Sequence, residues 1–313
     1  MNIDPFGQPG RFWRGNLHTH STLSDGALTP EQVIRAYQRS GYDFIELSDH
    51  FVSIFNWPIA DTLRFRSNSF TTLIGAELHA PSTAVGELWH ILAVGLPLDF
   101  APAGKDETGP ELAARAKAAG AFVGIAHPAW SQLTIEDGRA LASAHAVEIY
   151  NHGCAVENDR GDGWYLMDQL LNEGRRLTAF ATDDAHFQHG DFDAFGGFVE
   201  VKAQSLDPDL LLEALKAGHF YSSQGPRIHA LSATKKELSI ECSPVNCIAL
   251  LGGTSRALTR VGKHIEGATL ELANINLTFL PGGLTPWFRV VVIDAAGRKA
   301  WTNPIWVEDL PPG

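Results

Sequence analysis

Trp13-Arg14-Gly15-Asn16-Leu17-His18-Thr19-His20 is an apolar run that ends in two histidines, and Ser21-Thr22-Leu23-Ser24-Asp25-Gly26 then leads to a helix start at Thr29-Pro30-Glu31. Side chains two residues apart on a strand share a face, so both imidazoles can meet one metal ion. Other apolar runs end the same way, at Asp49-His50, Gly75-Ala76-Glu77, Ala126-His127-Pro128 and Asp183-Asp184-Ala185-His186. A β/α barrel gathers its strand ends at one mouth and places its chemistry there. The pattern therefore reads as a multinuclear metal hydrolase of the α/β class.

The bulk properties narrow the partners. The chain has 313 residues and a formal net charge of −12, with no cluster of Lys and Arg of the kind that neutralises a phosphate track. Long nucleic acid is excluded on this reading; a short nucleotide is not. Three cysteines, Cys154, Cys242 and Cys247, lack metal-finger spacing and suit a reducing cytoplasm as free thiols. No basic leader opens the sequence and no stretch of about 18 apolar residues occurs, so a cytoplasmic protein without a membrane partner is expected.

Short strand-like and helix-like runs alternate up to about Gly225, as in a parallel β/α fold. Strands are expected at Trp13–His20, Phe44–Ser48, Thr72–Leu78, His90–Leu96, Phe122–Ala126, Ala146–Tyr150, Leu177–Thr182 and Phe198–Val201. Helices are expected at Pro30–Ser40, Pro110–Ala119, Glu136–Ala144, Gly163–Asn172 and Pro208–Ala217, several marked by Pro at the start or Gly past the end. Phe51–Ser69 and Pro97–Gly109 read as irregular connections. Beyond Arg227 the texture becomes β-only, with runs at Leu238–Glu241, Cys247–Leu251, Thr269–Leu272, Asn276–Leu280, Phe288–Ile293 and Ala300–Trp306 and a turn at Pro281-Gly282-Gly283. Two domains follow from this: residues 11–227, and residues 228–310 as a small all-β, sandwich-like unit.

A hydrolytic metal site needs imidazoles and carboxylates from several segments, with at least one carboxylate able to bridge two ions. His18, His20, Asp25, His50, Glu77, His90, His127, Asp184 and His186 each lie at or just past an apolar strand. A lone histidine is usually a satisfied core or surface group; nine such groups at successive strands reverse that expectation. Asp184 and His186 repeat the two-residue offset of His18 and His20.

These residues resemble the PHP family, named for its polymerase and histidinol phosphatase members. HTHSTLSDG, GYDFIELSDH, GAE, HILAVG, IAHP, VEIYNHG and DDAH occur in the family's order between about Arg11 and Gly225. The resemblance implies a distorted (β/α)7 barrel that holds two or three divalent ions and hydrolyses phosphoesters. It places one ion on His18, His20, Glu77 and Asp184, a second on Glu77, His90 and His127, and a third on Asp25, His50 and His186. Adjacent ions would bring the pKa of a bridging water from near 16 towards about 7, giving a hydroxide nucleophile at a centre where Glu77 bridges two ions and Asp184 holds the first, both counted as catalytic. Imidazole and carboxylate without thiolate suit Zn, Mn or Fe.

Further residues have weaker claims. Asp49 and Asp183 neighbour ligands and are expected to orient them by hydrogen bonding, with a cap or turn role as the alternative. His79 shares a strand face with Glu77, but the pattern is complete without it and it reads as pocket lining. His152 is a candidate for substrate contact or general acid. Arg227 is the best candidate phosphate holder, with a domain-junction salt bridge as its plainer role.

The leading expectation is a metal-dependent phosphoesterase acting on a small phosphorylated metabolite or short nucleotide. The alternative is a carboxylic or carbamate ester hydrolase with the same centre, because Val147 to Asp191 is similar to a PHP branch that includes carbamate-ester hydrolases. A non-catalytic metal-binding module is the third reading, and homo-oligomerisation through the β-rich part is left open.

Overall fold

A computed structural model describes residues 5–276 and 286–313. Its elements in chain order begin with β1 (Arg11–Asn16), α1 (Pro30–Arg39), β2 (Phe44–Leu47), β3 (His50–Phe51), β4 (Thr71–Ala80) and β5 (Trp89–Val94). There follow α2 (Gly109–Ala118), β6 (Phe122–Ile125), α3 (Ile135–Ala140), β7 (Ala146–Asn151), α4 (His152–Asn158), α5 (Trp164–Asn172), β8 (Thr178–Thr182), β9 (Phe198–Ala203), α6 (Pro208–Lys216) and β10 (Phe220–Ser223). The start signals work as written: Thr29, Thr108 and Thr134 cap α1, α2 and α3, and Gln32, Glu111 and Asp137 return a bond to each cap's backbone.

The first part of the sheet runs β10-β9-β1-β2-β4-β5-β6-β7-β8. β1, β2 and β4 are mutually parallel, as are β6, β7 and β8, whereas β5 is antiparallel to both β4 and β6, and β9 is antiparallel to β1. Those reversals distort the alternating barrel. Side chains of alternate residues fill its inside: Leu17, Phe44, Leu73, Leu92, Phe122, Phe180, Val199 and Phe220 form one buried cluster drawn from every side of the curved sheet. Gly15 and Gly124 make room for the largest of them, since a Cβ would lie 2.1 Å from the Phe44 ring and 2.7 Å from the Phe180 ring respectively. The intervening residues, such as Ile45, Leu47, Val123 and Val147, point outward against α1, α2 and α5. Two carboxylates share the inside, Glu46 and Glu148, both fully buried.

Among the described residues no ladder joins β8 to β9 or β10, so closure is left to side chains. Ser222 Oγ on β10 accepts from Ala181 N at 3.0 Å and donates to Ala179 O at 2.9 Å. Asn303 accepts from Ala179 N at 2.8 Å and donates to Gly218 O and Phe220 O. The open edge of β8 is thereby satisfied without a strand partner.

The C-terminal part comprises β11 (Ile228–Ala233), β12 (Glu237–Gly252), β13 (Ala257–Glu271), β14 (Trp287–Ile293), β15 (Lys299–Trp301) and β16 (Ile305–Trp306). The expected strands Leu238–Glu241 and Cys247–Leu251 are two halves of β12, which is irregular around Val245: its first half pairs with β11, its second with β14, and β13 runs along both. Thr269–Glu271 is the end of β13, Leu272 opens the 3-10 turn that follows it, and Ala300–Trp306 divides at Asn303-Pro304. Past Asn276, the strand expected at Asn276–Leu280 and the turn at Pro281-Gly282-Gly283 lie outside the described residues. β15 pairs with β10, so the sheet is continuous between the two parts, and Trp287, Val291 and Trp301 bury themselves in the same core as α5. None of the described helices is long and apolar enough to cross a membrane.

Candidate metal centre

The two strongest sequence motifs meet through their backbones. Thr19 and Ala185 form a parallel bridge, Asp184 N donates to His18 O at 2.8 Å, and His20 N donates to Ala185 O at 2.9 Å. This register brings His18, His20, Asp184 and His186 to one end of the barrel. Asp184 has φ of 56°, the left-handed region that non-glycine residues rarely occupy, and holds it within this bonded frame.

The nine expected ligands all converge there. His20 Nε2 lies 2.9 Å and His18 Nε2 3.2 Å from Asp184 Oδ1. Glu77 is the hub: Oε1 is 2.8 Å from His90 Nδ1 and 2.9 Å from His127 Nε2, while Oε2 is 2.6 Å from His50 Nδ1. Asp25 reaches His50 Nε2 at 3.3 Å and His186 Nε2 at 3.4 Å. His90 arrives differently from the strand-end expectation. It stands near the start of β5, which reaches the same mouth because β5 runs antiparallel to β4.

Many of these contacts are close without being aligned hydrogen bonds. His18 Nε2, His20 Nδ1 and Glu77 Oε2 are buried and have no hydrogen-bond partner among the described residues. Buried donor atoms gathered within 4.8 Å of one another, some of them without an aligned hydrogen-bond partner, suit a cation, which can meet several lone pairs at once. The electrostatics agree. Burial disfavours the charged forms of Glu77 and Asp184, yet the surrounding imidazoles outweigh it and hold both carboxyls well below the usual range. Burial likewise opposes a charge on His18, but Asp184, Glu148 and Glu77 overcome it and raise its pKa. Burial keeps His20 and His90 towards the neutral form that ligates a metal, and the donor set of imidazole and carboxylate fits divalent ions.

Two residues without a role in the sequence analysis, Glu148 and Asn151, hold this array in place, and Asp49 and Asp183 fix the loops around it. Glu148, inside the barrel on β7, lies with Oε1 3.1 Å from His18 Nδ1 and accepts on that atom from Thr182 Oγ1. Its other oxygen accepts from His127 N at 2.6 Å and from Asn151 Nδ2 at 3.1 Å. Asn151 also donates to Asp184 Oδ2 at 3.0 Å and caps α4. Glu148 and Asn151 stand within the VEIYNHG motif; the available signal was an ionisable residue at an inward position of a buried strand. Asp49 accepts from Ser21 N, Ser21 Oγ and Ser24 Oγ, each at 2.8 Å, and so fixes the loop that carries Asp25. Asp183 accepts from Tyr37 Oη and from the amides of Phe195, Gly196 and Gly197, which anchors the segment after His186. Both act on loops, not on a ligand's ring.

Two expected substrate contacts lie elsewhere. The His152 ring packs against Gly196 with Nδ1 2.9 Å from Tyr150 Oη, and it does not line the cavity over the cluster, although its neighbours Gly153 and Cys154 do. Arg227 lines a different cavity of about 390 Å³ with Arg11, Arg14, Glu200 and Lys202. The chain turns at Gly225-Pro226, and Arg227 N binds Ser243 Oγ at 3.0 Å, so the residue belongs to the start of the C-terminal part. The cavity over the cluster holds about 380 Å³ and is lined by Asp25, His50, His90, His127, Trp130, Cys154, Glu157, Asn158, Asp184, His186 and Gln188 together with Gly153. None of these is Lys or Arg. Burial pushes the Cys154 thiol up, so it is no nucleophile at neutral pH. A larger cavity of about 460 Å³ between Arg176, Asn303 and Trp306 contains no such donor set.

No family model matches the chain, and no curated protein matches its sequence. Among solved structures it is similar to a two-domain protein of Bacteroides vulgatus described as containing a predicted PHP-like metal-dependent phosphoesterase, with 16% identity, 97% of this chain and 99% of that chain covered, and a TM-score of 0.54. The chain has a PHP-like fold. The likeness extends over both parts, so the strand-rich second part belongs to the shared architecture. Lesser likenesses are to a metal-dependent phosphoesterase so described from Bifidobacterium adolescentis (15% identity, TM-score 0.40) and an amidohydrolase from Chromobacterium violaceum with bound sulfate and no metal (15%, TM-score 0.41). Each covers 55% of this chain and 87% of the other.

Proposed function

We propose that this PHP-like chain is a metal-dependent hydrolase that cleaves a small phosphoester, a phosphorylated metabolite or short nucleotide. The observation that carries the reading is the convergence of six imidazoles and three carboxylates, from separate segments, at the floor of one cavity. His18, His20, Glu77 and Asp184 would hold one divalent ion, Glu77, His90 and His127 another, and Asp25, His50 and His186 a third. Zn, Mn or Fe, when bound, supply Lewis acidity and an activated water. The protein's own part is to keep His18 in one tautomer through Glu148, to fix Asp184 through Asn151, and to present Trp130 as a wall for the substrate's organic part.

A second reading has a specific observation behind it. The cavity wall offers no guanidinium or ammonium to a phosphate, and Arg227 does not reach it. A carboxylic or carbamate ester needs no such cation. Nitrophenol release from the phosphate monoester, the phosphate diester and the carboxylic ester, by Mn- or Zn-reconstituted protein beside Asp184→Asn, separates the two. Phosphoester turnover that vanishes in the variant supports the first; turnover of the carboxylic ester alone supports the second; no turnover with metal bound leaves a binding module.

A further inference from the structure

Histidine 79 is outside the nine-residue pattern, yet the strand register delivers it to the cluster. Glu77 and His79 are two apart on β4 and share a face. β3 pairs in parallel with β4 so that His50 stands beside Glu77, and β5 pairs antiparallel so that His90 stands opposite His79. His79 is buried, its Nε2 is 2.8 Å from His50 Nδ1 and 3.5 Å from Glu77 Oε2, and its ring centroid is 4.3 Å from that of His90. One donor atom from each of His50, Glu77, His79 and His90 lies within 4.8 Å of the other three.

Proton count makes this arrangement hard to explain by hydrogen bonding alone. His50 Nδ1 carries at most one hydrogen, yet Glu77 Oε2 and His79 Nε2 both lie within 2.8 Å of it. Glu77 Oε2 has no aligned hydrogen-bond donor at all among the described residues. A cation satisfies all three lone pairs together. Donors around a four-coordinate ion with bonds of about 2.0–2.2 Å stand roughly 3.4 Å apart, so a small opening of these rings accommodates one.

We propose that His79 is a tenth metal ligand, completing with His50, Glu77 and His90 a binding site of its own. The proposal rests on the metal-centre reading above. His50 would serve this ion through Nδ1 while Nε2 faces Asp25; ions on both nitrogens at once would require the ring to lose its N–H proton and bridge them as an imidazolate.

The test is metal per chain by elemental analysis after reconstitution with Zn or Mn and dialysis against a weak chelator, for the full chain and for His79→Ala, His79→Gln and His79→Asp. Gln can hydrogen-bond to His50 but is a poor ligand; Asp can ligate. Loss of one equivalent in the Ala and Gln variants, with recovery in Asp, is the expected result. An Ala variant at the wild-type ratio overturns the proposal, and so does a Gln variant at that ratio, which would make His79 only an orienting partner of His50. Thermal melts of the metal-free variants that match wild type exclude misfolding as the cause, and a Co(II) absorption spectrum that differs between wild type and His79→Gln provides a second readout. A wild-type chain that binds no metal would instead overturn the metal-centre reading itself.

Discussion

Glu148 sits below His18, its Oε1 3.1 Å from the ring nitrogen that faces away from the cluster, and its Oε2 accepts from the backbone of His127. One buried carboxylate thus orients two of the residues that line the centre. Glu148→Gln keeps the shape but has only one acceptor oxygen for four donors. Metal affinity, measured by chelator competition, should fall about 10–100-fold. An unchanged affinity would mean that His18 is oriented by packing alone.

Closure of the barrel through Ser222 makes a stability prediction. Ser222→Ala leaves Ala181 N and Ala179 O without partners in a buried seam. The cost should be about 1–3 kcal/mol in denaturant unfolding, with faster amide exchange at Ala181. Wild-type exchange there would show that β8 closes by another route.

His145 sets part of the acid limit. Burial, with Lys117 and Lys216 nearby, lowers its pKa from 6.5 to about 4, and its Nδ1 accepts from Val123 N. Below pH 6.5 the unfolded chain takes up a proton that the folded chain refuses until about pH 4. Stability from this residue is therefore complete above pH 6.5 and is lost as pH falls through that window. His145→Gln, which retains an acceptor for Val123, should flatten the acid side of the melting-temperature profile; a slope equal to wild type would contradict this.

Arg227→Ala should leave KM for nitrophenyl phosphate unchanged, because the residue lines a cavity separate from the metal cluster. A raised KM would show that the C-terminal part moves over the active mouth on substrate binding.

The legible features of the sequence were those encoded locally. The His18/His20 and Asp184/His186 offsets, the Thr29-Pro30 start and the apolar strand runs at Phe44–Ser48 and Leu177–Thr182 can be read without partners. Glu148 was hidden because a carboxylate in the middle of an apolar strand has meaning only once a curved sheet puts it beneath His18. Helix α4 was missed because Gly153 weakens its propensity, while its Asn151 cap also serves Asp184 and Glu148. The role of Ser222 depends on β8 and β10, whose contact is invisible to local pattern. Arg227 was misplaced for the same reason: its neighbours Arg14 and Glu200 come from distant segments.

Metal content of the reconstituted chain and of Glu77→Gln, by elemental analysis after exhaustive dialysis, tests the central claim most directly. The account predicts at least two ions per wild-type chain, since Glu77 contacts histidines on both of its oxygens, and the loss of that occupancy in the variant. A wild-type chain that retains no ion, or a Glu77→Gln chain that retains them all, would contradict it.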